Sequence, residues 1–198
     1  MVKLNPLHCT KCGAQIFTKE RDLVFLCENC GNVMVLHDDR LEDIRFRIVK
    51  FQQEYQGVKT YVPFYTIDAD ITIHSEENLG GGITTLFKGE RYMTGRWLIY
   101  VCAADFPPDQ AKKWNQTFTY SKPQFEEEGD FGGVPKLPVK FDPADAYQNA
   151  EFLFLAHELE KDGTLQSINY DFKVLGHELL YMPFYYYNNQ YYAGLKGG

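Results

Sequence analysis

Four of the five cysteines fall in two C-x-x-C pairs, Cys9-Thr10-Lys11-Cys12 and Cys27-Glu28-Asn29-Cys30, with fourteen residues between Cys12 and Cys27. No other feature narrows the possible folds so far. Two residues between cysteines let a tight turn aim both sulfurs at one point. The glycine after each pair, Gly13 and Gly31, suits the positive-φ backbone that closes such a turn. Four thiolates fill a tetrahedron and leave no position for a catalytic water, which suits structural zinc. A module of about 30 residues buries too little apolar surface to fold alone, and a metal supplies the missing stability.

Between the pairs, Gln15–Thr18 and Asp22–Leu26 read as short strands around the polar turn Lys19-Glu20-Arg21. A hairpin made of them would bring the cysteines together, with Val33–Leu36 packed against it. His8 and His37 flank the segment and read as surface or packing residues, because four sulfurs already complete the ligand set. The spacing resembles the zinc-ribbon superfamily over residues 9 to about 37. That resemblance implies a fold and a metal but no activity, since ribbons serve transcription factors, ribosomal proteins, helicases and enzyme adaptors alike. The wider chain resembles prokaryotic proteins that place an N-terminal ribbon before a β-rich domain with Tyr-x-Pro-Phe motifs. Two alternatives stand beside zinc. Iron, as in rubredoxin-like knuckles, goes with a different spacing and aromatic neighbours. A redox dithiol would want its pair at the start of a helix in a βαβ unit.

The length, 198 residues with 44% hydrophobic and 24% charged, allows one sizeable domain and a small module. Residues 1–40 read as the ribbon and 41–198 as a β-rich α+β domain. The net charge of -7 is unevenly spread: residues 1–50 sum to +1 and residues 51–198 to -8. The larger part is therefore repelled by phosphate backbones and anionic lipid. No run approaches the roughly 20 apolar residues that span a bilayer. The reading is a soluble, cytoplasmic protein.

Beyond the ribbon, the charged stretch 38–47 reads as a linker and β signals then dominate. In Thr60–Ile73, Tyr65, Ile67, Ala69, Ile71 and Ile73 share one face, and Thr66, Asp68, Asp70 and Thr72 the other, so one side is core and the other wet. Trp97–Ala104 reads as a buried strand, Pro107–Trp114 as a short helix, and 121–140, with three prolines and three glycines, as a long exposed loop. Leu79-Gly-Gly-Gly-Ile83 reads as a loop without the residues of a nucleotide site. The clearest helix runs from Pro143 to Lys161, capped by Asp142 and ended by Gly163. Leu165–Leu175 and Glu178–Tyr187 read as two strands, followed by a Tyr-rich hairpin about Asn188-Asn189. The expected fold class is α+β: an N-terminal zinc ribbon, then a mostly antiparallel sheet with one long packed helix. One internal echo stands out, Tyr61-Val-Pro-Phe-Tyr65 against Tyr181-Met-Pro-Phe-Tyr185. It reads as a duplicated β unit, as two strands bent alike, or as matched edges for a partner.

Catalytic patterns are thin. His157-Glu158 and His177-Glu178 lack the second histidine of a zinc protease. Asp68 and Asp70 read as a solvated strand face, and Cys102 as a packing residue. The terminal Leu-Lys-Gly-Gly reads as a plain tail. The leading functional reading is a zinc-binding, non-enzymatic subunit for protein–protein interaction or complex assembly, with another protein or a second copy as partner. The alternatives are a transcription or nucleic-acid accessory factor acting through the ribbon, and an enzyme with a dispersed site.

Overall fold

Apolar, β-branched and aromatic residues cluster in two long runs, and each forms one unbroken strand. The computed structural model describes residues 7–16, 22–27, 29–37, 40–79, 93–159 and 164–196. The elements are β1 (Leu7–His8), β2 (Gln15–Ile16), β3 (Val24–Leu26), β4 (Val33–His37), β5 (Arg40–Asp43), β6 (Phe46–Val49), β7 (Val58–Leu79), β8 (Gly95–Cys102), α1 (Pro108–Ser121), β9 (Glu127–Glu128), α2 (Pro143–Leu159), β10 (Thr164–Tyr187) and β11 (Gln190–Ala193). The architecture is α+β, mostly strand, with three sheets ordered β1-β2, β3-β4-β5 and β8-β7-β10-β6-β9, and β11 joined to β10. All pairings are antiparallel except β6 with β10.

Several expectations change. Among the described residues, β2 and β3 do not pair with each other. β2 pairs with β1, and β3 pairs with β4, because each cysteine turn reverses the chain and its own flanks meet across it. The turn at 19–21 lies outside the described residues. Within the expected linker, β5 pairs with β4 (Leu36 with Leu41). Its charges point outward, while Ile44 just beyond it is buried. The two expected C-terminal strands are one, with a register shift between Val174 and Gly176 that bends it. The first helix reaches Ser121. Part of the expected loop is ordered against the body, since β9 pairs with β6 and Val139 is fully buried.

The alternation in β7 holds only at one end. From Asp68 outward the second face is open. Nearer the start, Val62, Phe64 and Thr66 are buried too, because α1 covers that face with Trp114 and Phe118. The opposite face, Tyr61, Tyr65, Ile67, Ala69 and Ile71, packs with Ala146, Ala150 and Phe154 of α2 and with Val24, Val33 and Val35 of the small sheet. Asp142 caps α2 through the Asp145 N–H at 2.9 Å. On the other side, α1 satisfies the outer edge of β8. Asn115 Oδ1 accepts the Cys102 N–H at 2.8 Å and Thr119 Oγ1 the Tyr100 N–H at 3.0 Å, which closes an edge that would otherwise template strand addition.

The internal echo has a geometric basis. The two copies lie side by side in opposite directions: Tyr61 faces Pro183, Val62 faces Met182 and Pro63 faces Tyr181. A local two-fold through Val62 and Met182 therefore relates them. Its environment follows suit. Tyr61 pairs in parallel with Lys136 as Tyr181 pairs in parallel with Ile48. The Pro63 carbonyl accepts the Ala103 N–H at 2.9 Å, as the Pro183 carbonyl accepts the Gly194 N–H at 2.8 Å. A proline has no N–H to return. The Ala103 carbonyl instead receives the Lys140 N–H at 2.7 Å, and the Gly194 carbonyl the Gln52 N–H at 2.8 Å. Each proline thus opens a ladder position that a crossing segment from the other half of the domain fills.

Two bonds tie the start of the small sheet to the segment before α2: Leu23 N–H to Val139 O at 3.0 Å, and Val139 N–H to Oδ1 of the Asp22 side chain at 3.0 Å. No helix among the described residues is long and apolar enough to cross a membrane.

Candidate metal centre

The two cysteine turns are built alike. In the first, the Cys9 N–H donates to Ala14 O at 2.8 Å and the Gly13 N–H to Cys9 O at 2.9 Å; in the second, Cys27 N–H to Asn32 O and Gly31 N–H to Cys27 O, both at 2.8 Å. Gly13 and Gly31 take φ of 74° and 72°, which any side chain would strain. β1 and β2 flank the first turn, and β3 and β4 the second. Cys9, Cys27, Ile16, Phe25 and Met34 share a small core that sets the turns face to face.

All four sulfurs lie within 4.8 Å of one another. Cys9 Sγ is 3.6 Å from Cys30 Sγ, and Cys12 Sγ is 3.6 Å from Cys27 Sγ. These are far longer than a disulfide. They match the edge of a tetrahedron with metal–sulfur bonds near 2.3 Å, which is about 3.8 Å. The cluster could hold a metal ion, and an all-sulfur donor set of this size fits zinc.

Side chains outside the ligand set finish the site. Asn29 Nδ2 lies 3.5 Å from Cys12 Sγ. That bond is the main cause that draws the Cys12 thiol down to about 6, helped by the Ala14 backbone. Burial pushes Cys9 upward, but backbone N–H donors at Cys12 and Lys11 outweigh it and leave the thiol below its ordinary value. At Cys30 a backbone bond at Asn32 lowers the thiol, while burial and the other three sulfurs drive it the other way, to about 12. Negative sulfurs this close repel one another, and a divalent cation bound between them would remove that repulsion. Asn32 Nδ2 donates to Asp43 Oδ1 at 2.7 Å and to Thr10 Oγ1 at 3.0 Å. The Thr10 hydroxyl donates to the same Asp43 oxygen. Asn29, Asn32, Thr10 and Asp43 escaped the reading of the sequence. The one available signal was the short polar residue beside each ligand, a residue type that tight turns favour anyway.

The other candidates lie apart. Asp68 is held by Arg96 through two bonds, Nε to Oδ1 at 2.8 Å and Nη2 to Oδ2 at 2.5 Å, and Asp70 sits opposite Arg96 in the register. The Arg96 contact holds the Asp68 carboxyl below its usual range. The His157 ring lies tilted at 41° against that of Tyr120, with centroids 4.9 Å apart. His177 Nδ1 lies 2.6 Å from the Tyr147 hydroxyl. His8 is exposed, and His37 lies 3.3 Å from Asp142. Cys102 is buried, and burial pushes its thiol up to about 12, so it is no nucleophile at neutral pH. A cleft of about 680 Å³ between α1 and α2 is lined by Cys102, Phe106, Asn115, Phe152 and Leu153 among others; His157, His177 and Asp68 do not line it.

No protein family, curated protein or solved structure matches the chain.

Proposed function

We propose that this chain is a zinc-binding, non-enzymatic subunit that docks on another protein, with Cys9, Cys12, Cys27 and Cys30 holding one structural Zn²⁺. The carrying observation is the four-sulfur cluster, whose 3.6 Å edges suit a closed tetrahedron. A metal enclosed in this way stabilises and presents a surface and does not activate water. The titratable residues that might have formed a dispersed active site also have structural employment: Asp68 with Arg96, His177 with Tyr147, His157 with Tyr120. The contact surface is the Tyr-rich tip at β10 and β11. Tyr55, Tyr186, Tyr187 and Tyr192 are exposed there, and Tyr55 and Tyr192 sit 6.2 Å apart. Tyrosine offers large amphipathic area at low entropy cost and is enriched in interfaces.

The test has two arms on the full chain. Elemental analysis and the Co²⁺ spectrum should give one metal per chain in a tetrahedral all-sulfur field. Native co-purification should yield a partner in stable ratio that the double variant Tyr55→Ser/Tyr192→Ser loses while keeping its metal and its circular dichroism. A metal-free chain, or a monomer whose associations are indifferent to the double variant, refutes the reading. Salt-sensitive binding to DNA or RNA that Lys11→Glu abolishes would replace it with a nucleic-acid role.

A further inference from the structure

Three candidates outside the sulfur ligands bear chemistry: the cleft between the helices, the exposed tyrosines and the polar cluster beside Cys9. The last is the most fully specified. Thr10 belongs to the first cysteine turn, Asn32 follows the second, and Asp43 ends β5. Three separate pieces of chain therefore meet at one carboxylate oxygen. Asp43 Oδ1 accepts from Asn32 Nδ2 at 2.7 Å and from the Thr10 hydroxyl, and Thr10 Oγ1 in turn accepts from Asn32 Nδ2 at 3.0 Å. Asn32 has two amide hydrogens, and these two short bonds use both. Its remaining contact, Cys9 Sγ at 4.0 Å, is long. The triangle consequently acts by fixing the turns relative to each other, and its bond to sulfur is a minor part.

We propose that Asp43 is a positioning residue for the metal: it cross-ties the two cysteine turns through Thr10 and Asn32 and so sets how tightly and how long the ion is held. This rests on the zinc reading above. The reach of the tie goes further than the ribbon. Asp43 lies opposite Met34 in β4, Ile44 beside it enters the main core, and Arg47 a few residues on grips Glu178 at 2.7 Å. Asp43 is thus anchored close to β6 and, through Arg47, to β10.

The experiment is competition for zinc against a chromophoric chelator, with rates of ion transfer read on the same samples. Outer-shell partners of metal ligands typically matter by about 10–100-fold in affinity, and Asp43→Ala should weaken zinc within that range and speed its release. Thr10→Val keeps the shape of the side chain and removes one arm. It should weaken zinc less, and the Asp43→Ala/Thr10→Val pair should cost less than the sum of the two single changes, because they share one hydrogen-bonded triangle. Asp43→Asn retains an oxygen that accepts from both donors and should rescue most of the loss. Glu42→Ala on the same strand should leave zinc unchanged. The Co²⁺-loaded variants should keep the all-sulfur charge-transfer bands, which separates a positioning role from a lost ligand. An Asp43→Ala protein that holds zinc within twofold of the parent overturns the inference, as does simple additivity in the pair. A parent chain that binds no zinc at all instead defeats the functional reading on which it stands.

Discussion

His177 shows how a residue that looks catalytic can be structural. It stands on β10 opposite Ile67 and packs edge-on to Tyr65 and Tyr147, with ring centroids at 6.1 and 5.6 Å. Burial lowers its pKa, with His37 acting the same way and Glu42 opposing. The neutral ring keeps its hydrogen bond between Nδ1 and the Tyr147 hydroxyl. The sign of the pH effect follows from linkage. Below the ordinary histidine value of about 6.5, the unfolded chain takes a proton that the folded chain resists, so stability is intact above that pH and falls as acid is added. Denaturant midpoints from pH 7.5 down to 5 should decline in the parent and flatten in His177→Phe. An NMR titration midpoint above 6.5 for this imidazole would contradict the account. At this scale the convergence of the four cysteines was readable in advance, because the spacing of the two pairs constrains it. Asn32 and Asp43 were not, since only folding brings Asp43 eleven positions back to its partner.

Elements were legible where one face is apolar and obscure where both are. Pro143 after Asp142 announced α2, and the Asn188-Asn189 turn, with φ of 50° and 58°, suits the left-handed pair a tight hairpin needs. The pairing of β1 with β2 was missed because two-residue strands carry no periodic signal. The burial of Thr66 was missed because nothing local foretells that α1 will lie over it. The repeated proline was visible as a motif, but its meaning was not. Pro63 and Pro183 each withhold one donor so that Lys140 and Gln52 can enter the ladder. Pro63→Ala restores an N–H aimed at the Ala103 carbonyl, where it competes with that of Lys140. The expected result is a loss of about 1 kcal/mol in unfolding free energy, with faster amide exchange at Lys140. Pro183→Ala should do the same at Gln52. An increase in stability for either variant would mean that the carbonyl serves both donors and that the crossing segments owe nothing to the prolines.

Across the whole molecule, the cysteine cluster and the main core would divide the labour unequally once an ion is bound. The first turn and the short β1–β2 pair depend on the four sulfurs and a few apolar contacts. Val24, Val33 and Val35, by contrast, are part of the main core. Chelation should therefore strip exchange protection from residues 7–16 first, leave β7 and β10 protected, and lower the melting temperature by several degrees, as a loss of about 1–2 kcal/mol does in a chain of this size. Collapse of protection in β7 and β10 at the same chelator concentration would instead make the ion a keystone of the entire fold. The α+β class and the clustering of the four cysteines were legible at this scale, from hydropathy and cysteine spacing. The two-fold arrangement was not, because it resides in pairings between residues more than a hundred positions apart.

Those distant pairings have a consequence for synthesis. Every contact of the cysteine turns with each other is complete once the first few dozen residues leave the ribosome. Ile48 must wait for Tyr181, an interval on the order of ten seconds at ordinary rates of chain elongation. Throughout it the strand from Tyr61 to Ile71 can pair with β8 along one edge only, and the edge that β10 will fill is available to whatever binds first. A chain wired in this order invites a holding chaperone until its second half is translated.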